Sequence, residues 1–243
     1  MESRPLFVDE QRVYPRYSID TFTGRSRCTN FNVQGAAEGT PIKTEERDNL
    51  FICLDWISAD IRVAAYLSED EYLSECFEKS DPYTWMSEAL DLPREECKIA
   101  YLQTIYSLNL SSPILELFAS LRGWMESQLK ILDREGVLKT PLGRPFKISS
   151  DRDEKSVFNA VLQGTVAHAM QASLVRMTER LNKYLVTETH DSVVFSSRAS
   201  LIPHVINTAV QIMIRPLDNF ARFPLRVFVG KKWKKWKLYR EYR

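Results

Sequence analysis

Asp55 and Asp191 each stand at the end of an apolar run, and two carboxylates in that setting can do metal-assisted chemistry. Leu50-Phe-Ile-Cys-Leu-Asp55 reads as a buried strand that ends in a carboxylate. In Leu185-Val-Thr-Glu-Thr-His-Asp-Ser-Val-Val-Phe195, two runs rich in Val, Thr and Phe flank a polar pair. That is the pattern of two strands and a tight turn, with Asp191-Ser192 suited to the turn. Each stretch alone has a plainer reading. The second is also an ordinary hairpin with a polar tip, and Asp55 also suits a helix N-cap. Together the two carboxylates can meet at one site and hold two Mg2+ ions roughly 3.5–4 Å apart, with Mn2+ as an alternative. One ion would lower the pKa of an attacking hydroxyl, and the other would neutralise a pyrophosphate leaving group.

Other residues have types and spacing that suit a nucleic acid or its triphosphate precursors. Arg94, Lys98 and Tyr106 fall along one side of an expected helix, where two cations and an aromatic could hold a triphosphate and stack on a base. Glu95 and Glu96 beside them also fit a plain solvated face. Lys155, Asn159 and Gln163 repeat every four residues and would read a minor groove or form a polar outer face. Near the start, Gly24 permits a turn, and Arg25 and Arg27 offer planar forks that suit phosphates. The chain ends Lys231-Lys-Trp-Lys-Lys-Trp-Lys-Leu-Tyr-Arg-Glu-Tyr-Arg243. Cations interleaved with Trp233 and Trp236 suit a nucleic-acid backbone with stacked bases, an anionic membrane surface or a frayed tail.

The elements that must position these groups follow from the remaining sequence. Residues 1–35 are polar and read as irregular, and 36–48 as a loop. A helix over Ile57–Leu67 follows Asp55, and residues 69–92 are acidic and helical, broken at Asp81-Pro82. Pro93 opens the helix that carries Arg94. Long helices are expected over 112–135 and 153–183, with a hairpin at 136–148 between them. A covering helix over 201–216 and a strand over Phe223–Val229 complete the pattern. The 243 residues carry a net charge of +1, so any nucleic-acid contact must come from local patches. Four scattered cysteines without a CxxC pair argue against a disulfide framework or zinc site. Eight glycines without a phosphate loop argue against Rossmann and P-loop readings. The chain shows no membrane-spanning stretch and no signal-peptide core.

Taken in order, the motifs resemble those of the family A DNA polymerases. Thr23-Gly24-Arg25 through Asn30 resembles the TGR…N segment, and Leu54-Asp55-Trp-Ile-Ser-Ala-Asp60-Ile-Arg62 resembles motif A, usually DYSQIELR. Arg94-x3-Lys98-x7-Tyr106 resembles motif B. Leu142-Gly-Arg144 with Asn159-x3-Gln163-Gly-Thr165 resembles the DGR…NxxxQGT segment, and His190-Asp191-Ser192 resembles motif C, usually HDE. The resemblance implies an α+β fold: a right-hand polymerase palm, an antiparallel sheet with helices, with a helical fingers subdomain. Expected divisions are palm with motif A at 1–68, fingers with motif B at 69–135, and palm with motif C and the basic tail at 136–243. It implies template-directed nucleotidyl transfer to a primer 3′ end. Asp55, Asp191 and the Trp56 carbonyl would hold the metals, and Arg94 and Lys98 the triphosphate, with Tyr106 near the template base. Arg25, Asn30, Arg144, Lys155, Asn159, Gln163 and His190 would contact primer–template DNA, as would Lys231, Lys232, Trp233, Lys234, Lys235 and Trp236 of the tail.

The departures from the family pattern are specific. Asp60 stands for a Glu that crowds the sugar 2′ position, Leu102 for the aromatic that stacks on the incoming nucleotide, and Ser192 for the motif C Glu. Tyr83 stands where a His often binds phosphate, Lys155 where an Arg is common, and Ser107 where Gly usually follows Tyr106. The motifs cover no thumb and no 3′–5′ exonuclease, so a protein partner supplying them is expected, in the cytoplasm of a bacterial or phage-infected cell. The rival expectations are a non-catalytic primer–template-binding subunit and a polymerase that accepts ribonucleotides.

Overall fold

A computed structural model of the chain describes residues 5–44, 48–79, 81–218 and 220–243. The parts of the irregular segment at residues 1–4, of the expected loop at 45–47, of the acidic helical stretch at residue 80 and of the connection at residue 219 lie outside the described residues. The described chain separates into two compact units, residues 1–59 with 166–243 and residues 60–165. These boundaries differ from the three divisions drawn from the sequence: the helix after Asp55 and the hairpin at 136–148 group with the helices of 69–135.

The N-terminal segment is not irregular. It forms β1 (Leu6–Val8), β2 (Gln11–Val13), β3 (Arg16–Ser18) and β4 (Arg27–Thr29), and β5 (Ile42–Lys43) lies in the expected loop. β1 pairs with β2 and β5, and β3 pairs with β4, all antiparallel. Asp9 and Glu10 join β1 to β2 with positive φ at both positions, the geometry whose twist matches a tight hairpin. β6 (Leu50–Trp56) is the expected buried strand, and six of its seven residues are apolar.

In the second unit, α1 (Ala59–Ser68), α2 (Glu71–Lys79) and α3 (Pro82–Leu90) precede α4 (Arg94–Ser107). Asp81 caps α3, its carboxylate accepting the Thr84 N–H at 3.1 Å, with Pro82 at the first helical position. The helix expected over 112–135 is shorter than its pattern. Pro113–Glu116 makes one 3-10 turn, and α5 (Ala119–Glu135) begins after a break at Phe118. Phe118 is fully buried against Trp85 and Tyr72, with ring centroids 5.7 and 6.3 Å away. Asp70 supplies the cap at the break: its Oδ2 accepts the Leu121 N–H at 3.0 Å while Oδ1 accepts that of Leu73 at 2.8 Å. One buried carboxylate thus caps both α2 and α5. β7 (Val137–Lys139) and β8 (Pro145–Lys147) form the expected hairpin, and α6 (Glu154–Leu181) follows, the unit boundary falling within it.

The first unit resumes with β9 (Leu185–Thr189), β10 (Ser192–Ser197), α7 (Ile202–Met213), β11 (Leu225–Lys232) and β12 (Lys235–Tyr242). Five strands form an antiparallel sheet in the order β12-β11-β6-β10-β9. Leu6, Val33, Ile42, Phe51, Cys53 and Trp233 belong to one buried cluster, which joins the N-terminal strands to the face of β6 that carries Phe51 and Cys53. α7 is packed with buried Val205, Ile206, Ala209 and Met213, and the Trp56 indole N–H donates to the Met213 carbonyl at 3.0 Å. Among the described residues no helix is long and apolar enough to cross a membrane.

Candidate active site

Asp55 lies near the end of the central strand, and the register gives it a neighbour on each side: Ser192 of β10 and Arg226 of β11. It sits within β6, four residues before α1, so it is a strand residue rather than the N-cap its sequence context also allowed. The turn that carries Asp191 falls one residue earlier than the Asp-Ser pair indicated, because Ser192 already opens β10. His190 takes a positive φ of 47°, and the Asp191 N–H bonds back to the Thr189 carbonyl. Thr189 and Ser192, opposite each other, share a hydroxyl hydrogen bond. The Trp56 N–H donates to the Asp191 carbonyl at 3.0 Å, which pins the turn to the end of β6.

The electrostatics follow from this placement. Burial pushes the Asp55 carboxyl up to about 7, the charge of Asp191 adds to the rise, and Arg226 opposes it. Glu188 is also raised to about 7, first by burial and then by Asp191, against the backbone N–H of His190. Burial, with the Asp55 charge next, pushes the Cys53 thiol up to about 12. Thr189, Ser192, Asp55, Arg226 and Glu241 occupy successive register positions, so one row crosses all five strands. Arg226 Nε is 2.9 Å from Glu241 Oε1. Neither Arg226 nor Glu241 carries a local signal in the sequence; only the pairing of distant strands finds them.

This donor set fits a hard divalent cation. Two carboxylates repelling each other in a half-buried place are stabilised by positive charge, and Mg2+ commonly takes one or two protein carboxylates and completes its shell with water and phosphate oxygens. Among the described residues no cluster of three or more His, Cys, Asp or Glu forms a closed metal cage, which is compatible with such an open site.

Beside the turn is a groove of about 820 Å3, whose lining includes Arg25, Arg27, Asn30, Gln34 and His190. The structure thus brings Arg25, Asn30 and His190 together. Gly24, at φ 78°, makes the bend that presents Arg25, and Gln171 of α6 holds it by donating to the Gly24 carbonyl at 2.7 Å. Asn30 also adopts positive φ, and its side chain donates to the Tyr14 carbonyl at 2.8 Å. Gln34 ties the segment to β9 through bonds of 2.9 Å to the Glu188 carbonyl and 3.3 Å to its carboxylate. Gln171, Gln34 and Glu188 are further positioning groups that sequence reading did not find, because each acts through a partner far along the chain.

In the helical unit Lys98 is exposed, Leu102 and Tyr106 are half-buried, and Arg94 is held by Asp81 at 2.8 Å and by Glu95. Tyr83 is buried against Tyr101, with the Arg94 guanidinium 5.6 Å from its ring centroid. The Tyr106 hydroxyl donates to Asp60 at 2.6 Å, and the Asn159 amide donates to the Tyr106 carbonyl at 2.9 Å. Lys155 is exposed and Gln163 half-buried on the same helix. Arg144 lies over Phe146, 5.7 Å from its ring centroid, in the β7–β8 hairpin.

The basic tail forms the β11–β12 hairpin rather than a frayed end. Trp233 is completely buried, edge-on to Phe51 at 5.4 Å and to Trp236 at 5.5 Å, and its carbonyl accepts the Gly39 N–H at 2.8 Å. This corrects the expectation that Trp233 stacks on bases: its ring is part of the core. Trp236 is half-buried against the same cluster, while Lys231, Lys232, Lys234 and Lys235 are all exposed.

Comparison with known proteins agrees with the motif order. The chain is 25% identical, over 269 aligned positions, to the thermostable DNA polymerase I of Thermus aquaticus, covering 91% of this chain and 32% of that one. It is 27% identical over 268 positions to the Thermus thermophilus enzyme, covering 90% and 32%. It is 23% identical over 274 positions to DNA polymerase I of Bacillus subtilis (strain 168), covering 89% and 31%. The chain therefore spans about a third of the length of these relatives. No protein-family profile matches it. Its fold superposes on the POL domain of Pol1 from M. smegmatis, solved with DNA primer-template and dNTP, with a TM-score of 0.78 at 18% identity, covering 91% of this chain and 48% of that one. In fold the chain is similar to that POL domain, with mixed α and β structure, and in sequence it is similar to the DNA polymerase I proteins, the family A enzymes its motifs resemble.

Proposed function

We propose that this chain is a template-directed DNA polymerase that extends a primer 3′ end with deoxynucleotides. The observation that carries the reading is the pairing of Asp55 with the Asp191 turn, through the Asp55–Ser192 register and the Trp56 N–H bond to the Asp191 carbonyl. Asp55 and Asp191 hold Mg2+, with the Trp56 carbonyl assisting. The bound ions supply an activated 3′ hydroxyl and charge neutralisation at the departing pyrophosphate. The rigid sheet keeps the two carboxylates in place without reorganisation, which is what such chemistry requires of the protein.

Arg94 and Lys98 bind the triphosphate. Arg94 leaves Asp81 to do so, with Tyr83 supporting its guanidinium from the buried side. Tyr106 and Leu102 meet the base and sugar. Arg25, Asn30, Arg144, Lys155, Asn159, Gln163 and His190 contact primer–template. A protein partner that grips the duplex belongs to the same proposal.

Primer extension by the chain with Mg2+, alone and with lysate from its source, tests the reading. Extension should occur in at least one arm. Asp55→Ala or Asp191→Ala should abolish incorporation while leaving primer–template binding within about twofold. Unchanged incorporation by either variant would remove the catalytic assignment.

A further inference from the structure

We propose that the β11–β12 hairpin is a sequence-independent phosphate-binding surface, which engages a nucleic-acid strand where it leaves the groove lined by Arg25, Arg27 and Gln34. The proposal rests on the reading of that groove as a nucleic-acid site and extends it to a part of the chain outside the motifs.

Two tryptophans give the hairpin its character. Trp233 and Trp236 turn inward and pack on each other and on the Phe51 cluster. In Lys231-Lys-Trp-Lys-Lys-Trp-Lys237, anchoring the indoles leaves all five lysines exposed across the hairpin and its turn. No acid interrupts that run, although the whole chain carries a net charge of only +1. The run is therefore a local concentration of cations, with the Trp233 ring wholly buried and Trp236 half-buried beneath it. The lysines can neutralise phosphates and carry no base-reading group of their own, so this run reads charge and not sequence.

Its position selects the partner. Lys234 occupies the hairpin loop at φ 55°, and its ammonium lies 3.4 Å from the carbonyl of Gln34. Gln34 in turn lines the 820 Å3 groove together with Arg25, Arg27 and His190. Lys234 thus extends the guanidinium and amide lining of the groove past Gln34, with the other lysines of the hairpin beyond it. A polyanion with regularly repeated charge that already occupies the groove meets them next, and a phosphodiester strand is such a polyanion.

The test is a salt titration of primer–template binding by fluorescence anisotropy, with the full chain. The variant K231Q/K232Q/K234Q/K235Q is compared with K130Q/R134Q/R180Q/K183Q, which removes the same charge from exposed positions elsewhere. Each lost phosphate contact lowers the log–log salt slope by about 0.9, so the hairpin variant should lose roughly 2 or more in slope and about tenfold or more in affinity at low salt. Its melting temperature should match that of the wild type, and the loss should be the same on unrelated DNA sequences. An unchanged slope, an equal loss in the control variant, or hairpin-dependent binding to anionic lipid vesicles without any to DNA would overturn the proposal. Wild-type chain that binds DNA through these lysines yet never extends a primer would overturn the polymerase reading and leave the hairpin assignment standing.

Discussion

Arg226 lies directly opposite Asp55 on the neighbouring strand, and its guanidinium is braced at 2.9 Å by Glu241 from the strand beyond. A cation fixed in register beside a carboxylate favours the charged form. Arg226→Gln should let the Asp55 carboxyl rise further, moving the acid limb of the extension pH profile to higher pH. A limb that stays in place would show that Arg226 does not act on Asp55.

Asp55 ordinarily titrates at 3.8 and stands at about 7 in the folded chain. Between those values the folded chain keeps a proton that the unfolded chain has lost, so stability falls as pH rises from about 4 to about 7. Glu188, also at about 7, contributes in the same direction. Under the proposed function Mg2+ binds the deprotonated pair, so it should raise the melting temperature at about pH 8 and have little effect at about pH 5. Asp55→Asn should remove most of that response. A melting temperature indifferent to Mg2+ under both conditions would count against the metal assignment.

Asp60 is tethered by the Tyr106 hydroxyl at 2.6 Å. The family resemblance gives the acid at this position the task of crowding the sugar 2′ position. Tyr106→Phe frees that shorter acid to swing away, so ribonucleotide incorporation should rise by about tenfold relative to deoxynucleotide, on the order of the 1.4 kcal/mol of one hydrogen bond. Side-by-side extension with the two nucleotide sets measures it, and an unchanged ratio would separate the tether from sugar choice.

Asp70 is 2% exposed and caps two helices at once. Asp70→Ala should cost about 2–4 kcal/mol, because two charge-assisted bonds are lost and two buried N–H groups are stranded. Urea unfolding checks it, and a loss below about 1 kcal/mol would mean that water replaces the caps.

Trp233 is wholly buried. Trp233→Ala should therefore destabilise the chain by about 3–5 kcal/mol, the usual cost of emptying a large aromatic site. A stable Trp233→Ala protein that had lost only DNA affinity would restore the base-stacking role.

The sheet's central strands were legible because burial on both sides leaves a near-continuous apolar run, as in Leu50–Trp56, and the hairpin at His190 because β-branched residues flank a polar pair. β1 to β4 were not, since strands of three residues are too short to display an alternation. The break before α5 was hidden because its cap, Asp70, comes from another helix. The motif residues of the site were readable from their spacing. Arg226, Glu241, Gln34 and Gln171 were not, because their roles come from strand register and long-range bonds. The tail misled for a related reason: Lys and Trp in alternation look alike whether the indole faces a base or the core.

The position of β6 at the centre of its sheet also constrains how the chain can be made. β6 lies far upstream in the sequence of both strands that flank it, β10 and β11. Until β10 and β11 have emerged, neither edge of β6 has its native partner. Pairing between such distant segments is intrinsically slow, and Asp55 acquires its neighbours only when the sheet closes.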